Sequence, residues 1–531
     1  ARRCAAVVAE AVWEALDATG VPRDVLALVD VDEGALGQRL VSHPEVDRVI
    51  LTGSWETAQL FRSWRPDLPL LAETSGKNAM IVMPSADLDL AASDLIKSAF
   101  GHAGQKCSAA SLAILVGPVA RSERFARQLV DAAESLRVGP PSDPLSEVGP
   151  VVEVPRGKLQ WALTTLEEGE QWLVAPREAD DAPPEYAGRL WRPGIRVGVR
   201  PGSRTHLEEF FGPMLGVMHA NSLAEAIELQ NAVAYGLTAG LYTQSPADLE
   251  LWLDQVQAGN LYVNRGITGA IVQRQPFGGW KRSSVGAGTK AGGPNYLVGL
   301  GSWRPASGGP PSSTLHLRGL DARITDLIEA AQSSLDYEGF EWLRRAALSD
   351  AVAWSREFGQ VKDVSQLMVE RNLFRYRPVE VAIRATQDAA WPALLRVVIA
   401  AVRVGGAFTV SAPVGLPAEV RRALSGLDVA VHVETDDEWI DRLRVTRDSG
   451  TAPRVRLVGP APSRDGETAA SVTALHRALA EATGGDPDIA VYDGQVTTAG
   501  RIELLPFLHE QSITITAHRF GNPDRWSEQV I

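Results

Sequence analysis

The first apolar residues of the chain fall on a helical stripe, Cys4, Val7, Val8, Ala11, Val12, Ala15 and Leu16, the three-and-four spacing that lines one face of a helix. Gly20 and Pro22 mark its exit. The apolar run 25–31 then predicts a buried strand. A helical stretch over 34–42, a strand over 48–51, a helix after Ser54 and a strand over 68–73 follow at spacings of about 20 residues, the rhythm of βαβ units. That alternation predicts an α/β fold with a parallel, doubly wound sheet. The pattern continues with a helix over 87–100, a glycine-bearing loop over 101–108 and a strand over 111–116.

Near residue 305 the texture changes. The segment 305–313 reads PASGGPPSS, a Pro/Gly/Ser composition suited to a linker. Beyond it, helix-rich sequence leads through strand candidates at 379–383, 407–410, 429–433 and 455–458, and ends on an alternating run, 512–517. With 531 residues the chain exceeds what one core serves, and about three or four domains are expected.

Composition narrows the partners. Hydrophobic residues make up 45% and charged residues 22%, as in globular proteins. No apolar run reaches membrane-span length. A net charge of −13 speaks against a nucleic-acid footprint, which needs clustered positive charge. The only cysteines, Cys4 and Cys107, cannot staple a secreted fold, no Cys/His cluster has zinc-ligand spacing, and a reducing cytoplasm is expected. No initiator methionine or signal-peptide grammar opens the chain, which reads as beginning partway through a larger protein.

Four segments could carry chemistry. Cys107 lies in Gly101-His-Ala-Gly-Gln-Lys-Cys-Ser108, where the neighbouring Lys106 would favour the thiolate; it is a nucleophile or a buried structural thiol, and Cys4 keeps the second reading. Glu73 closes an apolar strand just before Thr74-Ser75-Gly76-Lys77. Ligands meet open α/β sheets at such strand ends, and a carboxylate there is a general base or a solvated charge. In Val49-Ile50-Leu51-Thr52-Gly53-Ser54 a strand runs into a turn and a helix, whose positive end can hold a pyrophosphate. Glu208-Glu209-Phe210-Phe211-Gly212-Pro213 sets acids and aromatics before a Gly-Pro turn.

Taken in order, these segments together with Pro276-Phe277-Gly278-Gly279 resemble the aldehyde dehydrogenase superfamily over about residues 1–304. The resemblance implies that Cys107 attacks the aldehyde, that its backbone N–H holds the oxyanion, and that Glu73 activates the water that hydrolyses the thioester. It implies NAD as cofactor, bound through Gly53, Ser54, Glu209 and Phe211. The family's oxyanion asparagine and the residues that choose between NAD and NADP would precede Ala1. Divisions follow from it: 1–75, the C-terminal part of a Rossmann-like NAD-binding domain; 76–282, an α/β catalytic domain; 283–304, the end of the dehydrogenase module; 305–315, a linker.

Asn264-Arg265-Gly266-Ile267-Thr268-Gly269-Ala270 and Lys290-Ala-Gly-Gly-Pro-Asn-Tyr296 look like the L-glutamate 5-semialdehyde (1-pyrroline-5-carboxylate) dehydrogenases, especially the dehydrogenase half of bifunctional proline utilisation A proteins. That likeness implies that Ser108, Thr268, Gly269 and Ala270 anchor the amino-acid end of the substrate and that Phe277 packs its stem. It implies an upstream proline dehydrogenase domain carrying FAD and, over 316–531, a non-catalytic aldehyde-dehydrogenase-like domain whose terminal segment flaps over the catalytic module and supports homo-oligomers or self-association. Arg371, Arg375 and Arg377 within 370–378 read as a solvated charge run rather than an anion site.

Overall fold

The computed structural model describes residues 2–31, 34–303, 316–448, 454–461 and 467–531; the expected linker, 305–315, lies outside the described residues. A ten-stranded sheet dominates. Its parallel body runs, in spatial order, Leu508–Thr516, Asn260–Val263, Thr238–Tyr242, Asn78–Val82, Ala110–Val116, Met214–Ala220 and Gly194–Val197. Antiparallel strands close the two margins: Gln171–Val174 on one side, and Glu370–Pro378 followed by Lys362–Asp363 on the other.

Helices cover both faces, as a parallel sheet requires. Leu88–Phe100 starts at Asp87, whose carboxylate accepts the Leu90 N–H, and lays Leu95, Ile96 and Phe100 on Met80, Val82 and Leu215. The opposite face buries Trp252 against Leu112, Leu241 and Leu261. A three-stranded sheet holds the first part of the chain, with Val49–Thr52 parallel to Leu70–Glu73 and Ser284–Val285 antiparallel to the latter. The C-terminal part builds its own five-stranded parallel sheet in the order Val431–Val433, Phe408–Ala412, Val381–Ala385, Arg454–Val458, Val491–Tyr492. Among the described residues no helix is long and apolar enough to cross a membrane.

Three expectations need correction. The run 25–31 forms no strand: a short helical turn, Arg23–Val25, is followed by coil, because the extended segment has no ladder partner among the described residues. The stripe on Arg2–Thr19 stays largely exposed, with only Ala9 buried, and Cys4 is exposed rather than a core thiol. Of the arginines over 370–378 only Arg377 stays at the solvent-exposed surface, against Asp254; Arg371 and Arg375 do not. They sit on a sheet strand, where Arg375 Nε donates to Gln511 Oε1 at 2.8 Å and its Nη2 to the Leu253 carbonyl, while Arg371 donates to Ser527 and to the Ile531 carbonyl.

The alternating terminal run does form a strand: Leu508–Thr516 is bonded on both sides, to Asn260–Val263 and to Glu370–Pro378, and its Ile513 and Ile515 are fully buried in the core of the large sheet. The C-terminal segment completes the sheet that carries the candidate site.

Candidate functional site

The site gathers where the small sheet meets the large one. The Glu73 backbone is fixed twice, through its register opposite Thr52 and Ser284 and through the Gly53 N–H, which donates to its carbonyl at 3.2 Å. Ser54 caps Trp55–Trp64 by accepting the Thr57 N–H at 3.1 Å, while Gly53 beside it is exposed. The first N–H groups of a helix lack intrahelical partners and carry its positive end. An open Gly-Ser turn with that donor set fits the pyrophosphate of a dinucleotide.

Gly76 brings this segment against the Cys107 loop. A Cβ there would stand 2.7 Å from the Cys107 carbonyl oxygen, so only glycine permits the approach. Asn78, buried at the head of its strand, then ties the two together. Its Nδ2 donates to the carbonyls of Cys107 at 2.7 Å and Ala109 at 2.9 Å, and its Oδ1 accepts the Thr238 N–H at 3.0 Å. The loop before Cys107 turns through left-handed backbone at His102 and Ala103, an uncommon conformation for residues with a Cβ. Gln105 staples the loop outward, donating to the Phe211 carbonyl at 3.1 Å and accepting the Val152 N–H at 2.8 Å.

The electrostatics oppose ionisation. Burial pushes the Cys107 thiol up, and the negative charges of Glu73 and Glu209 add to it, against the lowering effect of the Ser108 backbone N–H; Lys106 favours the thiolate as expected, but as the smallest of these influences it does not reverse the rise. The Glu73 carboxyl is raised by burial against the opposing charge of Lys290, and its Oε2 is buried with no hydrogen-bond partner. A raised carboxyl is the direction a general base working near neutral pH needs. Glu209 is also raised by burial, although its Oε1 accepts the Gly76 N–H at 3.1 Å. Lys77 is fully enclosed, 5.0 Å over the Phe210 ring, and burial lowers it to about 7.

The structure thus brings Gly53, Ser54, Glu73, Cys107 and Glu209 to one region. Ser108 is buried beside Cys107, and Phe211 is partly exposed on the far side of Gln105. The segment carrying Thr268, Gly269 and Ala270 leaves the end of Asn260–Val263 and doubles back along Leu88–Phe100, where the Ile267 N–H donates to Ser98 Oγ at 3.2 Å; Gly269 and Ala270 are exposed. Phe277 is held by paired backbone bonds to Ala291 at 2.9 and 2.8 Å. Sequence reasoning missed Asn78 and the role of Lys290. A polar residue heading the apolar run Ala79–Val82 was the available signal for the first; for the second, only the fold shows that Lys290 and Glu73 lie on either side of Gly278.

A partly buried thiol within the electrostatic reach of a desolvated carboxylate, at the margin of a doubly wound sheet, defines the class: an α/β fold with a sulfur and a carboxylate gathered near the strand ends. The chain belongs to the aldehyde dehydrogenase family, whose profile matches residues 2–298. It is 37% identical over 302 residues to the 1-pyrroline-5-carboxylate dehydrogenase of Bacillus subtilis (strain 168), covering 55% of this chain and 57% of that relative. A relative of the same name from Geobacillus thermodenitrificans is 36% identical over the same span. The structure of proline utilization A (PutA) from Corynebacterium freiburgense matches at 43% identity with a TM-score of 0.76, covering 98% of this chain and 46% of that one. The chain spans about half the length of the relatives it matches.

Proposed function

We propose that this chain forms the greater part of a unit that oxidises L-glutamate 5-semialdehyde to L-glutamate with NAD, the second oxidation of proline breakdown. The observation that carries the reading is the approach of the Cys107 loop to the Glu73 segment across Gly76 and Asn78. The Cys107 sulfur bonds to the aldehyde carbon, giving a thiohemiacetal whose oxyanion takes the Cys107 backbone N–H. NAD, when bound, would supply the hydride acceptor needed to oxidise this adduct to a thioester. Glu73 takes a proton from water as the water oxygen attacks the thioester carbon, and the carbon–sulfur bond breaks to release the carboxylate.

Gly53, Ser54, Glu209 and Phe211 hold the cofactor in this reading, with the turn at the helix start taking its pyrophosphate and Glu209 a ribose. Ser108, Thr268, Gly269 and Ala270 receive the α-carboxylate and amine of the substrate, and Phe277 its stem. The match to PutA over less than half of that protein supports a longer chain in which an FAD-bearing proline dehydrogenase domain supplies the semialdehyde. The same proposal takes in the division at 75, 282, 304 and 315, a non-catalytic 316–531, cytoplasmic residence and self-association.

The test is NADH formation by the full-length protein with glutamate semialdehyde and with aliphatic aldehydes. The expected result is a specificity constant for the semialdehyde at least about 100-fold higher, the discrimination that a site built to hydrogen-bond a substrate's polar end achieves. Cys107→Ala abolishes turnover with either substrate while cofactor still binds. A preference for aliphatic aldehydes refutes the substrate assignment.

A further inference from the structure

The C-terminal segment reaches the candidate base through one lysine. Glu510, on Leu508–Thr516, accepts the Lys290 backbone N–H on its Oε2 at 2.6 Å and the Asn295 Nδ2 on its Oε1 at 2.7 Å. The Glu510 carbonyl accepts the Trp280 Nε1 at 2.9 Å, and the neighbouring His509 stacks on the Trp280 ring at 4.8 Å. Loop 276–295 is thereby pinned to the C-terminal strand. Within it the Lys290 ammonium is enclosed, donating to Asn260 Oδ1 at 2.9 Å and to the Gly278 carbonyl.

Gly278 is the spacer between the ammonium and the base. A Cβ on Gly278 would lie 2.8 Å from Glu73 Oε1 and 3.2 Å from the Lys290 side chain, so the lysine and the carboxylate flank a single residue without closing a direct ion pair. A cavity of about 650 Å³ is lined by Glu73, Gly278, Lys290, His509 and Glu510 together. This gives water a route to the carboxylate from the side of the C-terminal segment.

We propose that Lys290 is a positioning residue that keeps Glu73 in its carboxylate form, and that Glu510, delivered by the C-terminal segment, sets the charge and place of Lys290. The proposal rests on the reading of Glu73 as the deacylation base. A carboxylate this deeply buried, with no hydrogen-bond partner on Oε2, takes up a proton more readily unless a positive charge stands near it. Lys290 is the cation whose charge lowers the Glu73 carboxyl; burial pulls the Lys290 ammonium down to about 8, and the charges of Glu73 and Glu510 work against that loss of its proton. Around the pair stand Cys107, which feels Glu73, His509, which feels Lys290 and Arg454, and Glu510, which acts on Lys290; Lys281, Arg282, Arg454, Asp488 and Tyr492 line the same cavity. The non-catalytic part of the chain would thus support turnover through an electrostatic contact and not merely through sheet completion.

The experiment uses p-nitrophenyl acetate with the full-length protein, because acylation of Cys107 by an activated ester needs neither the semialdehyde nor NAD. The nitrophenol burst reports acylation, and the steady rate reports Glu73-assisted deacylation. Removing a positive charge raises the carboxyl further, so the acidic limb of the steady rate moves to higher pH. For Lys290→Met the expected shift is about one pH unit, a roughly tenfold loss below the limb, with the burst kept; Lys290→Arg restores the limb toward wild type. Glu510→Gln keeps the side-chain size and one acceptor, and moves the limb the same way by less.

A limb that coincides with wild type in both Lys290→Met and Glu510→Gln overturns the proposal, as does Lys290→Arg behaving like Met. Should Lys290→Met fail to fold, Glu510→Gln decides alone. A shifted ester limb in a protein that makes no NADH from the semialdehyde sustains this inference while refuting the substrate reading.

Discussion

Replacing Asn78 by alanine should damage stability and catalysis together. The amide is buried and makes three hydrogen bonds, at 2.7, 2.9 and 3.0 Å, to Cys107, Ala109 and Thr238. Truncation strands two carbonyls and one N–H in a dry interior. Each buried unsatisfied group costs about 1–3 kcal/mol, and neighbours sharing one amide add less than fully, so the expected loss is about 3–6 kcal/mol. At about 2–4 °C per kcal/mol for a unit of this size, the dehydrogenase transition in a calorimetric scan should fall by at least about 6 °C. Freed from its tether, the Cys107 loop can drift, and a misplacement of about 1 Å costs on the order of 100-fold in rate. Asn78→Asp keeps the acceptor for Thr238 but turns oxygens toward two carbonyls, so it should do no better than alanine. A melting shift under about 2 °C with near-normal NADH formation would show that the amide is not the clamp argued for here.

Glu73→Gln should leave one burst of about one NADH per site in rapid mixing and then slow turnover, since an amide cannot take the proton from water; a lost burst with a normal steady rate contradicts the assigned role. Iodoacetamide labelling of Cys107 should still be accelerating above the usual thiol range of about 8.5, because burial and the charges of Glu73 and Glu209 raise the thiol, and Glu73→Gln should move that labelling limb to lower pH. An unmoved limb would mean that the carboxylate does not reach the sulfur. Ile513→Ala, in the C-terminal strand but in the core of the large sheet, should cost about 2–5 kcal/mol and lower the same transition that Asn78→Ala lowers; an effect confined to a separate C-terminal transition would deny the shared core.

The local grammar of the chain was legible without coordinates. Asp87 and Ser54 cap helices because their side chains accept the orphan N–H groups of the following turn, and such caps act within a few residues. The apolar strands 379–383 and 455–458 lie near Val381–Ala385 and Arg454–Val458 for a similar reason, since a strand buried on both faces must be apolar throughout. Cys107 and Glu73 were readable as candidates because a loop glycine and a strand end are local features. What the sequence could not decide was which distant groups share a space. Arg375 looked solvated until Gln511 and the Leu253 carbonyl stood beside it, and 25–31 looked like a strand until no partner lay alongside. The run 512–517 revealed its alternation but not that it sits between Asn260–Val263 and Glu370–Pro378. Pairing, desolvation and charge all depend on separation through space, so the raised Glu73 carboxyl, the small influence of Lys106 on Cys107 and the link from Glu510 to Lys290 were settled only by the tertiary structure.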